Sequence, residues 1–119
     1  MYKANIWGRE FELEVIYDCY EGEDVLPLQK EAFETFSKNS ELLSASKSNI
    51  EQYCLEKNKE EIGADQVDNI FKYVLPECIF IKRDGRIALM CRYKFDDHGI
   101  AIVFKNKKIA EIGTRDIIL

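Results

Sequence analysis

The chain has 119 residues, of which 46% are hydrophobic and 33% are charged, and its formal net charge is −5. This composition is typical of one globular domain and excludes an intrinsically disordered chain. The charge is uneven, because residues 1–24 are acidic whereas residues 71–119 carry ten basic and six acidic side chains. A dedicated nucleic-acid binder, which is usually basic overall, is therefore not expected.

Neither a leader nor a membrane-spanning segment is predicted. The chain starts at Met1 without a basic and apolar leader, and no apolar run approaches the roughly 20 residues of a spanning helix. Four scattered cysteines and a single histidine do not make the close-spaced ligand pairs of a zinc site. We expect a cytoplasmic protein that binds no membrane, metal or cofactor, with its cysteines reduced and buried.

The stretch YKANIWGREFELEV, residues 2–15, predicts a β-hairpin. A two-residue turn at Gly8 and Arg9 places the alternating apolar residues on one face, and a slip of one residue would scatter them over both faces. The other face carries Trp7 and an acidic row formed by Glu10, Glu12 and Glu14. The predicted pairs are Ile6 with Phe11, Ala4 with Leu13 and Tyr2 with Val15.

The middle of the chain predicts two or three helices. The first follows a loop at residues 21–24, with Asp24 as its cap and Pro27 in its first turn. A second runs from the cap Ser40 to about Lys57, and a shorter third covers residues 64–75 and ends at Pro76. The residues expected to face inward are Leu28, Ala32, Phe33, Phe36, Leu43, Ile50, Tyr53, Cys54, Val67, Ile70, Phe71 and Val74, whereas Ser44, Ser46 and Ser48 are expected to face solvent.

The C-terminal third predicts a β-meander. A two-residue turn at Asp84 and Gly85 is a strong hairpin signal, and it would make Cys78 and Cys91 direct neighbours across two strands. DDHG, residues 96–99, is predicted as a four-residue hairpin loop, and KNKK, residues 105–108, as the next turn. The pairs predicted across these turns are Phe80 with Leu89, Lys82 with Ile87, Phe95 with Ile100 and Tyr93 with Ile102.

These elements predict a single α+β domain over residues 1–119. Its mostly antiparallel sheet combines the N-terminal hairpin with the C-terminal meander, and two to three helices lie on one face.

The DDHG segment contains the only histidine, His98, directly after Asp96 and Asp97. Aspartate and glycine are ordinary turn residues, so a structural turn accounts for the segment. One alternative is a binding loop in which His98 contacts a partner or senses pH. Another is a small ligand- or metal-binding site, or an enzyme, that uses both carboxylates with His98. No second histidine and no EF-hand spacing supports a metal.

The second face of the predicted meander is a candidate interface. If the helices cover the face of Phe80, Leu89 and Tyr93, the opposite face presents an apolar patch with a basic rim, an arrangement that often marks an interface. The patch could pair two copies of the chain, or a helix or the first hairpin could cover it as core. The patch consists of Ile79, Ile81, Ala88, Met90 and Val103, and the rim of Arg83, Arg86, Arg92 and Lys94.

The segments DDHGIAIVF and IGTRDIIL resemble the C-terminal part of an uncharacterised family of small bacterial domains of unknown function. That family carries an Asp/Glu-His-Gly turn and an Ile/Val-Gly-x-x-Asp ending. The resemblance implies no known activity, substrate or cofactor. Small acidic domains of this kind are often found among bacterial toxin-immunity and interaction modules, an analogy that does not establish function. The matching residues are Asp97, His98, Gly99, Ile112, Gly113 and Asp116, and a bend at Gly113 is expected to free Asp116 to hydrogen-bond the turn.

The leading prediction is a non-catalytic protein-interaction module of the immunity type. Its acidic row and the 21–24 loop would mask a basic protein partner, and charge complementarity would speed the association. The alternatives are a ligand- or metal-binding domain or enzyme that uses residues 96–98, and a homodimer formed through the Ile79, Ile81 and Met90 patch. No catalytic residue is assigned.

Overall fold

The computed structural model describes residues 1–119 and contains one six-stranded sheet and two α-helices. The sheet order follows the chain from β1 to β6, and every neighbouring pair is antiparallel except β2 and β3. The prediction of an α+β fold with a mostly antiparallel sheet is therefore confirmed. The strands are β1 (Tyr2–Ile6), β2 (Arg9–Tyr17), β3 (Val74–Ile81), β4 (Ile87–Tyr93), β5 (Asp96–Lys105) and β6 (Lys108–Gly113), and the helices are α1 (Pro27–Lys38) and α2 (Glu41–Ile62).

The two helices connect the N-terminal hairpin to the meander. Strands β2 and β3 are parallel, with Glu14 opposite Cys78 and Tyr17 opposite Ile81. A parallel pair needs a long crossover, which α1 and α2 provide. The hairpin and the meander thus share one sheet.

Two groups of buried side chains lie against the sheet. The larger one joins Phe36 of α1 and Leu43 and Ile50 of α2 to strand residues such as Ile79 and Leu89. The smaller one contains no residue of α1 or α2; we call it the second-face cluster, and its members are Ala88, Met90, Ala101, Val103 and Ile118.

The N-terminal hairpin turns one residue earlier than predicted. Trp7 and Gly8 form the turn, so that Ala4 pairs with Phe11, and the predicted pairing is wrong by two residues while the apolar face is kept. The difference arises because Trp7 lies in the core, where its indole Nε1–H donates to the hydroxyl of Ser46 at 2.9 Å. This burial and hydrogen bond offset the strain of the positive φ of Trp7, 54°.

Helix α1 begins at Pro27 as expected, but its cap is Leu26 and not Asp24. The backbone N–H of Leu26 donates to the side chain of Gln29 at 2.9 Å. The Gln29 amide is itself buried and donates to the carbonyl oxygens of Asp18 and Ile81. Because Gln29 takes the inward position, Leu28 is half exposed, contrary to the prediction.

Helix α2 begins after Ser40 and continues past the predicted end at Lys57. Asn58 interrupts it with non-helical backbone angles, φ −139° and ψ 38°. Its side-chain oxygen accepts a hydrogen bond from the Tyr93 hydroxyl at 2.7 Å, which fixes the break against β4. Ser46 was expected to face solvent but is fully buried, because its hydroxyl accepts from Trp7 and donates to the carbonyl oxygen of Leu43.

The predicted third helix is wrong. Only a 3₁₀ turn, Ile70–Lys72, forms in residues 64–75, and the side chain of Asn69 accepts the N–H of Phe71 at its start. Ile70 and Val74 are buried as expected, but Val74 already belongs to β3 and pairs with Tyr93. A short apolar stretch fits helical and strand periodicity alike, so the sequence pattern alone does not distinguish them. Here the pairing with β4 makes the end of the stretch a strand.

The turn between β3 and β4 has three residues rather than two. The N–H of Lys82 donates to the carbonyl oxygen of Arg86, which leaves Arg83–Gly85 as the turn. The predicted register is therefore wrong by one residue, and β3 presents the opposite set of side chains to the helices. Cys78 pairs with Met90, not with Cys91, so the predicted cysteine neighbours lie on different faces. The turn predicted within residues 105–108 is confirmed, with Lys105 paired to Lys108.

No helix of the structure combines the length and the apolar character needed to cross a membrane.

Candidate functional site

Residues 96–98 lie at the start of β5 and not in a hairpin loop. The chain turns at Lys94 and Phe95, and Tyr93 pairs directly with the first residue of β5. The loop prediction is wrong because the ring of Phe95 is held in the turn by stacking on Tyr73, with ring centroids 5.5 Å apart. The predicted pair of Phe95 with Ile100 is replaced by a pair of Cys91 with Ile100.

A bulge shapes the segment after Asp97. Gly99 has a φ of +67°, and a Cβ atom there would lie 2.5 Å from the carbonyl oxygen of Cys91. Arg115 holds the bulge from the C-terminal segment, because Nε donates to the carbonyl oxygen of His98 at 3.0 Å and Nη2 to that of Asp97 at 3.2 Å. Glycine and Arg115 together therefore determine the backbone path here.

Arg115, and not Asp116, bonds the segment. The carboxylate of Asp116 accepts a hydrogen bond from the hydroxyl of Thr114, so the expectation for Asp116 is wrong. Arg115 also donates through Nη1 to Glu77 at 3.1 Å, which links the C-terminal 3₁₀ turn, Arg115–Ile117, to β3. The guanidinium group has five donors and can serve two carbonyls and a carboxylate at once, which a carboxylate cannot do.

His98 and Asp96 form a pair that is open to water. The His98 side chain is 78% exposed, and its Nδ1 lies 3.0 Å from Oδ1 of Asp96. The backbone N–H of His98 donates to the same oxygen at 2.8 Å, and these two hydrogen bonds lower the pKa of Asp96. The chain contains no group of three His, Cys, Asp or Glu side chains placed to hold a metal ion. The arrangement orients one imidazole ring at the surface.

A cavity of about 520 Å³ opens beside Asp96 and Asp97. It lies where the 3₁₀ turn at 70–72 leads into β3 and where β4 turns into β5. We call it the basic cavity, because four of its lining side chains are cationic: Lys72, Arg92, Lys94 and Arg115.

The acidic row lies on β2 at the positions that the sequence predicts. Glu10, Glu12 and Glu14 are alternate residues of β2 and all three are exposed. Nζ of Lys3 lies 3.4 Å from Oε1 of Glu12, and both side chains are mostly exposed. The row therefore presents three carboxylates along one face of the hairpin.

The 21–24 loop is attached to the meander. Glu23 forms an ion pair with Arg83, whose guanidinium carbon also lies 3.9 Å from the centroid of the Tyr20 ring. The Glu23 carboxylate is thus partly occupied within the chain, whereas the other acidic residues of the loop are exposed.

The predicted apolar patch does not exist as one surface. Ile79 and Ile81 are fully buried in the larger cluster with the helices, whereas Met90 lies in the second-face cluster. The three-residue turn before β4 causes this separation. It shifts the pairing by one residue, so that the side chains of β3 predicted to face away from the helices face them instead. The rim residues are also separated: Arg83 pairs with Glu23, Arg86 pairs with Asp84 at 2.8 Å, and Arg92 lines the basic cavity.

All four cysteines are free thiols. Burial raises the pKa of the Cys54 thiol to about 11 and also raises the pKa of Cys91. The pKa of Cys78 is raised by burial and by the nearby Glu77 and Glu14 carboxylates. None of these three groups has the lowered pKa that makes a thiol nucleophilic.

Sequence reasoning missed the residues that fix the site. Arg115 was not singled out, although an arginine close to a chain end and next to a glycine-bearing bend is a usable signal. The basic cavity was missed because Lys72 and Arg115 lie far in the sequence from Arg92 and Lys94, so no local spacing connects all four cations.

Residues 1–119 match the sequence model of one protein family, the domain of unknown function DUF6985. No curated protein and no solved structure matches the chain. The match extends over the hairpin, both helices and the meander, and so covers every element described above. The chain therefore belongs to the DUF6985 family of domains of unknown function.

Proposed function

We propose that this protein is a non-catalytic protein-interaction module that binds a basic partner through the acidic row on β2. The observation that carries the proposal is the placement of Glu10, Glu12 and Glu14. They project from alternate positions of one strand, so that neighbouring carboxylates start about 7 Å apart. In the register with β3, Glu14 lies opposite Cys78, which packs on the second-face cluster.

Apolar side chains continue the acidic row on the same face. Ile16 follows Glu14 by two residues and is 37% exposed. It lies opposite Phe80, which packs against the second-face cluster. The second-face cluster is itself buried, so Ile16 is the apolar side chain exposed beside the row. A charged row next to an exposed apolar side chain supports an interface, because the rims of interfaces are polar.

Little within the chain neutralises the row. Lys3 is the one cation within 4 Å of any of the three carboxylates, and an exposed pair of this kind contributes little energy. The row is therefore free to attract a positively charged surface and to speed its encounter with the protein. Masking of a basic partner is the mode expected of an immunity-type protein, and we infer that role together with the bacterial cytoplasmic setting that the sequence predicts.

The test compares capture of a partner by three tagged proteins from lysate of the native host. The proteins are the wild type, a reversal of the row to lysine, and a control that reverses Glu34, Glu56 and Glu60, which are exposed on the helices. The control changes the net charge by the same amount. We expect one partner on the wild type and the control that is absent from the reversed row. Equal capture by all three proteins would overturn the proposal.

A ligand-binding function at residues 96–98 is the second candidate. It is favoured by the cavity beside Asp96 and Asp97. The exposed Asp96–His98 pair offers no additional group to hold a metal, so a ligand there would be recognised mainly by the cationic side chains of the same cavity. The test is ligand binding by the wild type and by His98→Ala. Equal affinity would place the ligand away from the imidazole.

A further inference from the structure

The basic cavity brings together three cations that form no ion pair within the protein. Lys72, Arg92 and Lys94 are exposed, and none of them has a carboxylate within 4.0 Å. They come from the 3₁₀ turn before β3, from β4 and from the turn after β4. The fold therefore assembles three unpaired positive charges around one opening.

The negative charge in the cavity does not cancel these cations. Two carboxylates, Asp96 and Asp97, line it against four cationic side chains. Asp96 already accepts two hydrogen bonds from His98. Arg115, the fourth cation, is already bonded to Glu77 and to backbone carbonyls. With Arg115 paired to Glu77, three cations face two carboxylates, and the lining keeps a small net positive charge that favours an anion.

Tyr73 lines the cavity together with two other aromatic side chains, Phe71 and Tyr93. Tyr73 stacks on Phe95 with an interplanar angle of 28°, which gives the Tyr73 ring a fixed orientation. Lys94 lies over both rings, with Nζ 5.9 Å from the Tyr73 centroid and 5.8 Å from the Phe95 centroid. The backbone N–H of Lys94 also donates to the carbonyl oxygen of Tyr73 at 2.8 Å. A cation is thus held directly beside an ordered aromatic surface.

We infer that the basic cavity binds a small phosphomonoester whose molecule also contains an aromatic ring. The phosphate dianion would contact Lys72, Arg92 and Lys94, because a guanidinium fork matches phosphate oxygens and lysines add point charges. The aromatic group of the ligand would pack against Tyr73. The volume of about 520 Å³ falls in the usual range of small-molecule sites. The ligand chemistry has two sources, a nucleoside monophosphate and phosphotyrosine.

The test is a titration of the full chain with phenyl phosphate at low salt, followed by backbone NMR. Inorganic phosphate and phenol are titrated separately, because each supplies one half of the probe. We expect saturable shifts at Tyr73, Arg92 and Lys94 that are tighter for phenyl phosphate than for either half. Absence of saturable shifts, or equal affinity for inorganic phosphate, would overturn the inference.

Two variants separate the cavity from general charge effects. Arg92→Gln with Lys94→Gln removes two cations of the cavity, and Lys30→Gln with Lys47→Gln removes two exposed lysines from the helices. We expect phenyl phosphate to bind the first variant at least about tenfold more weakly and the second nearly as well as wild type. Equal losses in both folded variants would show diffuse attraction and overturn the inference.

The source of the ligand is resolved by titrating adenosine monophosphate and O-phosphotyrosine in parallel. Tighter binding of one assigns the ligand to that source, and failure of both overturns the inference even if phenyl phosphate binds. This inference does not depend on the proposed interaction through the acidic row. Reversal of Glu10, Glu12 and Glu14 should leave phenyl phosphate affinity unchanged, so the two proposals fail separately.

Discussion

Replacing Gly99 by alanine tests whether the bulge after Asp97 requires a glycine. The substitution has two costs. The φ of +67° is unfavourable for alanine, at about 1 kcal/mol or slightly more. The added Cβ would also lie 2.5 Å from the Cys91 carbonyl oxygen and 2.5 Å from Nε of Arg115. Overpacking of this kind costs about 1–3 kcal/mol, so we expect a total loss of about 2–4 kcal/mol.

Gly63 provides a matched control. It ends α2 with a φ of +72°, and a Cβ atom there would have nothing within 4 Å. Gly63→Ala therefore incurs the backbone cost without the collision, and the effect of alanine on the unfolded chain is common to both variants. We expect a loss of about 1 kcal/mol for this control.

The assay is urea unfolding of wild type, Gly99→Ala and Gly63→Ala, followed by far-UV circular dichroism. The difference between the two variants isolates the contact with Cys91 and Arg115. We predict that Gly99→Ala lowers the free energy of unfolding by at least about 1 kcal/mol more than Gly63→Ala does. Equal losses would refute the close approach of β4 and Arg115 to Gly99.

Three further measurements test contacts that fix the fold. Ser46→Ala leaves the buried indole N–H of Trp7 without its acceptor, and we expect the free energy of unfolding in urea to fall by about 1–3 kcal/mol. Adding Trp7→Phe should restore part of this loss. A double variant whose loss equals the sum of the two single losses would contradict the prediction. Gln29→Met removes three hydrogen bonds at the start of α1 and should cost at least about 2 kcal/mol, so a neutral result would exclude these bonds as a source of stability. Burial raises the pKa of Cys54 from its ordinary value of 9.0 to about 11; the folded protein favours the neutral thiol, so its contribution is complete below pH 9 and is lost as the pH rises towards 11. The free energy of unfolding should therefore fall more steeply over that range in wild type than in Cys54→Ala, and parallel curves would contradict the assignment.

The antiparallel strands could be predicted because their signals are local. Alternation in residues 2–15 and in the meander, together with the polar turn at residues 105–108, indicated all six strands. The exact registers could not be predicted, because turns of two and three residues are compatible with the same Asp84-Gly85 signal. That single residue decides whether Ile79 and Ile81 face the helices.

Features that depend on distant contacts could not be predicted. Trp7 adopts a positive φ because Ser46 on α2 accepts its indole N–H. The residues near position 7 contain no signal that predicts this contact with Ser46. The apolar spacing of residues 64–75 fits a helix, but Val74 pairs with β4 and belongs to a strand. The acidic row depends only on alternation within β2 and was therefore predictable, whereas the basic cavity depends on three elements meeting.

We propose that the acidic row governs association with a basic partner. The most direct test measures the association rate of the captured partner with wild type and with a variant in which Glu10, Glu12 and Glu14 are glutamine, at low and at high salt. We predict that the wild-type rate falls steeply with salt and that the glutamine variant associates at least about tenfold more slowly at low salt, with little dependence on salt. A glutamine variant that associates as fast as wild type, with the same salt dependence, would contradict the claim.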